Sequence, residues 1–137
     1  MWPATNGKPH ELGEVNVLAC MKTNYYGTVN THNWAIDNGA KYIFSNTDKA
    51  VLPINLYGCS KLAAQKYIES MGRGTIFKWG NVANSSGSVI QAFKKTLLKE
   101  NKVYITDRRM TRFWIELSDV AEFMWECKDR VGESLIH

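Results

Sequence analysis

The chain has 137 residues, a formal charge of +4 and a sequence pI near 9.0. Apolar residues make up 45% and charged residues 22%, which fits a soluble globular domain and excludes a disordered or collagen-like chain. The length suits one domain, and no apolar run approaches the ~20 residues that cross a bilayer.

The opening residues are polar and carry no apolar secretory segment, so a cytoplasmic location is expected. Cys20, Cys59 and Cys127 are scattered without a C-x-x-C, and His10, His32 and His137 lie far apart. Neither a disulfide framework nor a metal site is therefore expected. The basicity is local. Seven basic residues stand against Glu100 and Asp107 between Lys94 and Arg112, a local +5, so the rest of the chain sums to −1. A nucleic-acid patch is one reading of that stretch. The preferred one is a solvated helix face, with no nucleic-acid partner.

Residues 1–13 hold Pro3, Gly7, Pro9 and Gly13 and read as an irregular lead-in. A helix is expected over 14–38, starting near Glu11 and Glu14, with Leu18, Tyr25, Val29 and Ile36 close to one stripe and Gly39 just past its end. "KYIFSN" (41–46) predicts a strand. Pro53 then breaks regularity, and a second helix is expected over 56–71, with Ala64, Ile68 and Met71 on its apolar face and Gly72 as its stop. "TIFKW" (75–79) predicts a second strand, and 80–87 are turn formers. A third helix is expected over 88–99, with Ile90, Phe93 and Leu97 together. "KVYIT" and "RFWIEL" read as short strands. A last helix is expected over 118–128, with Ser118 as N-cap and Val120, Met124 and Cys127 inward. This alternation predicts an α/β sheet, in which ligands collect at the carboxyl ends of the strands. Tyr25, Tyr26, Trp34 and Trp125 read as core or interface aromatics.

Two loops at such strand ends carry chemistry. Thr47-Asp48-Lys49 sets a hydroxyl, a carboxyl and an amine in succession, a plausible acid/base group whose plainer reading is a capped turn. Tyr57-x-x-x-Lys61 puts a phenol and an ammonium on one helix face. There the lysine would lower the phenol's pKa; the plainer reading is a surface tyrosine over a lysine stem.

The order of these parts is far more specific than either alone. "TDKAVLPINLYGCSKLAAQK" resembles the central motif of the UDP-N-acetylglucosamine 4,6-dehydratases, a polysaccharide-biosynthesis branch of the extended short-chain dehydrogenase/reductase family. "KTNYYGTVN", "WGNVANSSGSVIQAFKK" and "ITDRRMTRFWIELSDVAEFM" resemble three further blocks of that family, in the same order. The match covers roughly residues 14–126.

The resemblance implies a partial Rossmann-like doubly wound sheet that lacks the N-terminal glycine-rich βαβ half, because no G-x-x-G-x-x-G occurs here. It implies one partial domain over 1–137. Residues 14–79 would form the catalytic half of the sheet and 80–137 a nucleotide-sugar-binding segment. The implied reaction is NADP-dependent (or NAD-dependent) dehydration of UDP-N-acetylglucosamine to a UDP-4-keto-6-deoxy-hexosamine. Tyr57, assisted by Lys61, would accept the 4-hydroxyl proton, and Thr47 would hold the 4-oxygen. Lys49 would take the C5 proton and Asp48 would protonate the leaving 6-hydroxyl. Asn24, Gly80 and Asn81 would join Tyr57 and Lys61 at the cofactor. Asn81, Val82, Ser88 and Arg112 would meet the UDP-sugar, with no metal.

The implied partners are a complementary N-terminal half or further copies of the chain, paired through the helices at 14–38 and 56–71. The family's pattern is broken at Asn46, Leu52, Asn84 and Ser86, where Ser, Asn, Gly and Arg are usual. A nucleotide-sugar 4-epimerase, which shares the Tyr/Lys pair but eliminates no water, is the alternative enzyme. A truncated, non-catalytic oligomerisation module is the alternative outside catalysis.

Overall fold

The computed structural model describes residues 14–83, 85, 88–105 and 107–136. The lead-in at 1–13, Asn84, Ser86, Gly87 and the end of "KVYIT" at Thr106 fall outside them.

A long helical segment comes first. Helix α1 (Val17–Met21) passes into a π-helical turn (Lys22–Tyr26), and helix α2 (Gly27–Asp37) continues from it. Its buried residues are Cys20, Thr28, His32 and Ala35, at steps of eight, four and three. Leu18, expected inside, is 73% exposed. The wide turn inserts residues between the two α-helical parts and changes which positions face inward; the inward face is mostly polar, so apolar periodicity does not locate it. Gly39, at φ +66°, ends the segment as expected.

Strand β1 (Ile43–Thr47) runs into a 3-10 turn (Asp48–Ala50), and helix α3 spans Leu56–Met71. The Asn55 side chain caps α3 by accepting from the Gly58 amide at 2.9 Å, and Gly72 closes it at φ +63°. Ala64 and Ile68 are buried as expected, whereas Met71 is exposed. Strand β2 (Thr75–Trp79) follows over the expected span, and β3 (Asn81–Val82) is a short strand where turn formers predict none. Helix α4 (Val89–Glu100) buries no residue fully; Ile90 and Phe93 are half-buried and Leu97 is exposed.

Residues 102–105 form no strand, and "RFWIEL" contributes only β4 (Trp114–Ile115). Helix α5 (Leu117–Cys127) has Glu116 rather than Ser118 at its N-cap position, and the Ser118 hydroxyl donates to Asp119 within the helix. The strand β5 (Ser134–Ile136) carries too short a pattern to be read from sequence.

The sheet is parallel in the order β1-β2-β5, with β3 and β4 as a separate parallel pair. Thr47 pairs with Trp79 at the level ends of β1 and β2, and Phe77 pairs with Leu135. Helices cover both faces. On one, Phe44 and Ile76 pack with Ala64 and Ile68 of α3, and Tyr25, Tyr42 and Tyr67 close the edge. On the other, Phe77 and Trp79 pack with Ile115 and Val120, and Phe123, Met124 and Cys127 of α5 join them. Strand β2 is buried on both faces, as a parallel strand between helix layers must be. This is the doubly wound α/β arrangement that the sequence predicts.

Tyr25 packs as expected, while Tyr26, Trp34 and Trp125 are exposed. Phe77 is fully buried, stacked on Trp79 with ring centroids 5.4 Å apart and met edge-on by Phe123. Replacing Phe77 with Ala should cost about 3–5 kcal/mol of stability, read as a lower urea midpoint.

Candidate active site

The level ends of β1 and β2 bring two loops side by side. Thr47 ends β1, and its hydroxyl accepts from the Lys49 amide at 3.3 Å while donating to Asp48 Oδ1 at 3.0 Å. Lys49 Nζ donates to the same Asp48 oxygen at 3.0 Å and to Asn81 Oδ1 at 3.3 Å, across from the second loop. Thr47, Asp48, Lys49 and Asn81 therefore form one hydrogen-bonded group. Asp48 Oδ1 accepts two of these hydrogen bonds.

The turn bearing Lys49 is pressed onto α3 at Gly58. A Cβ placed on Gly58 would sit 2.3 Å from the Lys49 carbonyl oxygen and 2.8 Å from Pro53 Cβ. Only a glycine lets the acid/base loop lie against the helix that carries Tyr57 and Lys61. Between them, Leu52 adopts φ +51° and is 88% exposed, with Ile54 exposed beside it. Leucine is disfavoured in that left-handed conformation, which asparagine accepts more readily.

Tyr57 and Lys61 are both half-buried. The phenol's pKa is pushed up, not down: first by burial, then by the negative charge of Asp48 and by Cys20. Burial pulls the Lys61 ammonium below its ordinary range. That ammonium lies 3.5 Å from the Ser45 carbonyl oxygen and 4.9 Å from the centre of the Phe44 ring, so its contacts are with β1. The expected lowering of Tyr57 by Lys61 is thus overturned by desolvation and by Asp48.

Asn24 lies in the π-helical turn, where such irregularities often mark functional sites. Its side-chain amide donates to Ser60 Oγ at 3.0 Å, and Ser60 donates to the Tyr57 carbonyl at 2.8 Å. Cys20 Sγ lies 3.6 Å from the same Ser60 oxygen. Ser60 is fully buried, so this polar seam ties the long helix to the first turn of α3. Gly58 and Ser60 escape a motif search, although both stand inside "YGCSK" and their residue types are the available signal.

The remaining candidates are more dispersed. A Cβ on Gly80 would come within 2.6 Å of the Phe113 carbonyl oxygen, so this glycine admits the close approach of the β4 chain. Val82 pairs with Ile115 and packs into the second core. Ser88 precedes α4; its Oγ is buried without a partner among the described residues. Arg112 is exposed and donates to the Thr111 carbonyl at 2.6 Å. Among the described residues, neither Ser88 nor Arg112 hydrogen-bonds to the Thr47–Asn81 group. No group of three metal-ligating side chains occurs among the described residues, and no helix there is long and apolar enough to cross a membrane.

A family model described as polysaccharide biosynthesis protein matches residues 4–136. The chain belongs to that family. A UDP-N-acetylglucosamine 4,6-dehydratase (inverting) of Campylobacter jejuni is 40% identical over 137 aligned positions, covering 91% of this chain and 41% of the relative. A UDP-glucose 4-epimerase of Rickettsia felis is 35% identical over 116 positions, covering 78% and 34%. The chain thus spans well under half the length of these relatives. The solved structure of Pen from Bacillus thuringiensis superposes with a TM-score of 0.86 at 30% identity, over 97% of this chain and 44% of that one. RMD from Pseudomonas aeruginosa, solved with NADPH, gives 0.80 at 16% identity over 99% and 61%. The fold is that of the Rossmann-like extended short-chain dehydrogenases/reductases.

Two outcomes follow at this site. Gly58→Ala should cost roughly 1–3 kcal/mol, because Lys49 and Pro53 must move to admit the methyl group; urea unfolding measures it. Asp48→Asn should lower the Tyr57 pKa, since one of its raising charges is removed. Ultraviolet titration against Tyr57→Phe isolates that phenol. Folded Tyr57 holds its proton above the unfolded value of 10.0, so its contribution to stability is full below pH 10.0 and fades as pH rises through the folded pKa. The Asp48→Asn variant should narrow that alkaline window.

Proposed function

We propose that this chain carries the catalytic half of a nucleotide-sugar dehydratase. It would convert UDP-N-acetylglucosamine to a UDP-4-keto-6-deoxy-hexosamine for a surface polysaccharide, in the cytoplasm. The observation that carries the reading is the contact between Lys49 Nζ and Asp48 Oδ1 at 3.0 Å, one loop away from Tyr57. An acid and a base held together are what elimination of water requires. Epimerisation at C4 needs only the Tyr57 and Lys61 pair.

Tyr57 and Lys61 fit the ribose end of a nicotinamide dinucleotide: a phenol and a desolvated amine at the carboxyl end of β1, where open α/β sheets take such ligands. The diphosphate end needs a glycine-rich turn that the sequence does not contain, so a complementary N-terminal half would supply it. The chemistry that a bound nicotinamide, NADP or NAD, supplies is storage of one hydride between oxidation at C4 and reduction at C6.

The chain's own groups move the protons. Burial and Asp48 hold the Tyr57 proton in the free chain, so the phenol must first give it up. It can then accept the proton of the 4-hydroxyl, whose oxygen Thr47 would hold. Lys49 takes the C5 proton made acidic by the 4-ketone. Asp48 protonates the 6-oxygen as the C6–O bond breaks, and the C5–H electron pair becomes the C5–C6 double bond. Lys49 would then return that proton to C5. The proton gained by Tyr57 balances the one given by Asp48, so the net loss is one water. Before elimination Lys49 must be neutral and Asp48 protonated. Sugar lying over the exposed ion pair would favour those uncharged forms by excluding water.

The test mixes the full chain with a separately produced glycine-rich half, NADP+ and UDP-N-acetylglucosamine, and follows products by proton NMR. A new 6-methyl signal is expected, reduced about 10²–10⁴-fold in Lys49→Met and in Asp48→Asn. A 4-epimeric product without a methyl signal would favour the epimerase. Dimerisation without turnover would identify a non-catalytic module.

A further inference from the structure

We propose that Lys61 guards the outer edge of β1, and that pairing of an extended segment at that edge releases its ammonium to Tyr57. The inference rests on the split-dehydratase reading for its catalytic meaning; the edge contact itself does not.

The backbone of β1 has two sides. The Thr75 amide of β2 donates to the Tyr42 carbonyl at 2.9 Å, and the Ile76 amide turns the other way, to the Glu133 carbonyl at 2.9 Å. In a strand both polar backbone groups of one residue point to the same side, and those of the next residue point to the opposite side. Phe44 and Asn46 therefore bond towards β2, while Ile43, Ser45 and Thr47 turn theirs to the open side. Ser45 is the middle one of these three, and its carbonyl is the acceptor that the Lys61 ammonium meets at 3.5 Å.

This contact is weak. The distance is long for a charged donor, and the other partner among the described residues is the Phe44 ring, whose centre lies 4.9 Å away. No carboxylate joins them there, so burial lowers the Lys61 pKa without a counter-charge to oppose it. An ammonium held by one neutral oxygen and a ring is readily exchanged. A backbone amide from a neighbouring strand would take the Ser45 carbonyl at ordinary length, and Lys61 would lose its acceptor.

The group it would meet instead is one helical turn away, because Tyr57 and Lys61 share a face of α3. With the edge open, the ammonium makes neither of its contacts with the phenol. Tyr57 is accordingly pushed up by burial, by Asp48 and by Cys20, with no cation to oppose them. An open edge withdraws Lys61 from Tyr57, and a paired edge returns it. A lysine at a bare edge is also a device that discourages unwanted strand addition. One side chain thus serves as guard and, once displaced, as partner of the phenol.

The experiment compares the full chain as wild type, Lys61→Met and Lys61→Arg. Sedimentation velocity reads self-association, and amide hydrogen exchange followed by NMR locates it. Lys61→Met should associate at about 10-fold lower concentration than wild type, with new protection at the Ser45 and Thr47 amides. Lys61→Arg, which keeps a cationic donor, should follow wild type. The glycine-rich half of the assay above is then added, and Tyr57 is titrated by ultraviolet absorbance against Tyr57→Phe. Its midpoint should fall in wild type and stay high in Lys61→Met. Equal association of wild type and Lys61→Met would overturn the guard, as would protection confined to other strands. A Tyr57 midpoint that the added half leaves unmoved in wild type would overturn the release. A lowered Tyr57 midpoint without turnover would uphold this inference and count against the dehydratase reading alone.

Discussion

The parallel pairing of β1 with β2, level at Thr47 and Trp79, is the constraint on which the rest of this molecule depends. Because both strands stop together, the loops that leave them emerge side by side. The hydroxyl, carboxyl and amine of 47–49 then lie next to the amide at 81. A slip of one residue would turn every side chain of β1 to the opposite face and carry Thr47 away from that group. The register is defended by burial on both sides. Phe44 must face α3, and Ser45 must face Trp79, whose indole donates to its hydroxyl at 2.8 Å.

Two seams of different character mount α3 above these ends. The apolar one, Phe44 with Ala64 and Ile68, contributes most of the burial. The polar one runs from Cys20 and Asn24 through Ser60 to the Tyr57 carbonyl. A polar seam stabilises less than an apolar one but demands one alignment, since each buried donor must find its acceptor. His32 extends the same logic further along, fully buried between the rings of Tyr42 and Tyr67, with Nε2 2.7 Å from the Arg73 carbonyl oxygen. Asn46 departs from it: its amide nitrogen donates to Gln65, while its buried Oδ1 has no partner among the described residues.

Legibility followed chemistry. The α3 helix and β2 strand were readable in their spans because Gly72 stops the one and a β-branched and aromatic run marks the other locally. The long first helix was readable in extent but not in orientation, because a π-helical turn and a polar inward face defeat any search for apolar period. The strands at 81–82 and 134–136 are two and three residues long, too short for a pattern; the one at 114–115 was legible only as part of the longer "RFWIEL", and all three exist through pairing partners far along the chain. The side chains of the 47–49 group and of Tyr57 were all legible as a motif. What the motif could not convey was mutual geometry: that Asn81 reaches Lys49, that Lys61 rests on Phe44, and that Gly58 admits the loop.

Strand β1 is an edge of its sheet among the described residues, paired as a strand with β2 alone. Its outer amides and carbonyls form a ruled template, and parallel edges accept almost any extended segment of matching length. Which segment lies there is a question of local concentration and covalent tethering more than of side-chain identity. Crowding many copies of this polypeptide together would then favour strand upon strand in open-ended stacks, and dilution or a tethered neighbour would keep the edge singly occupied.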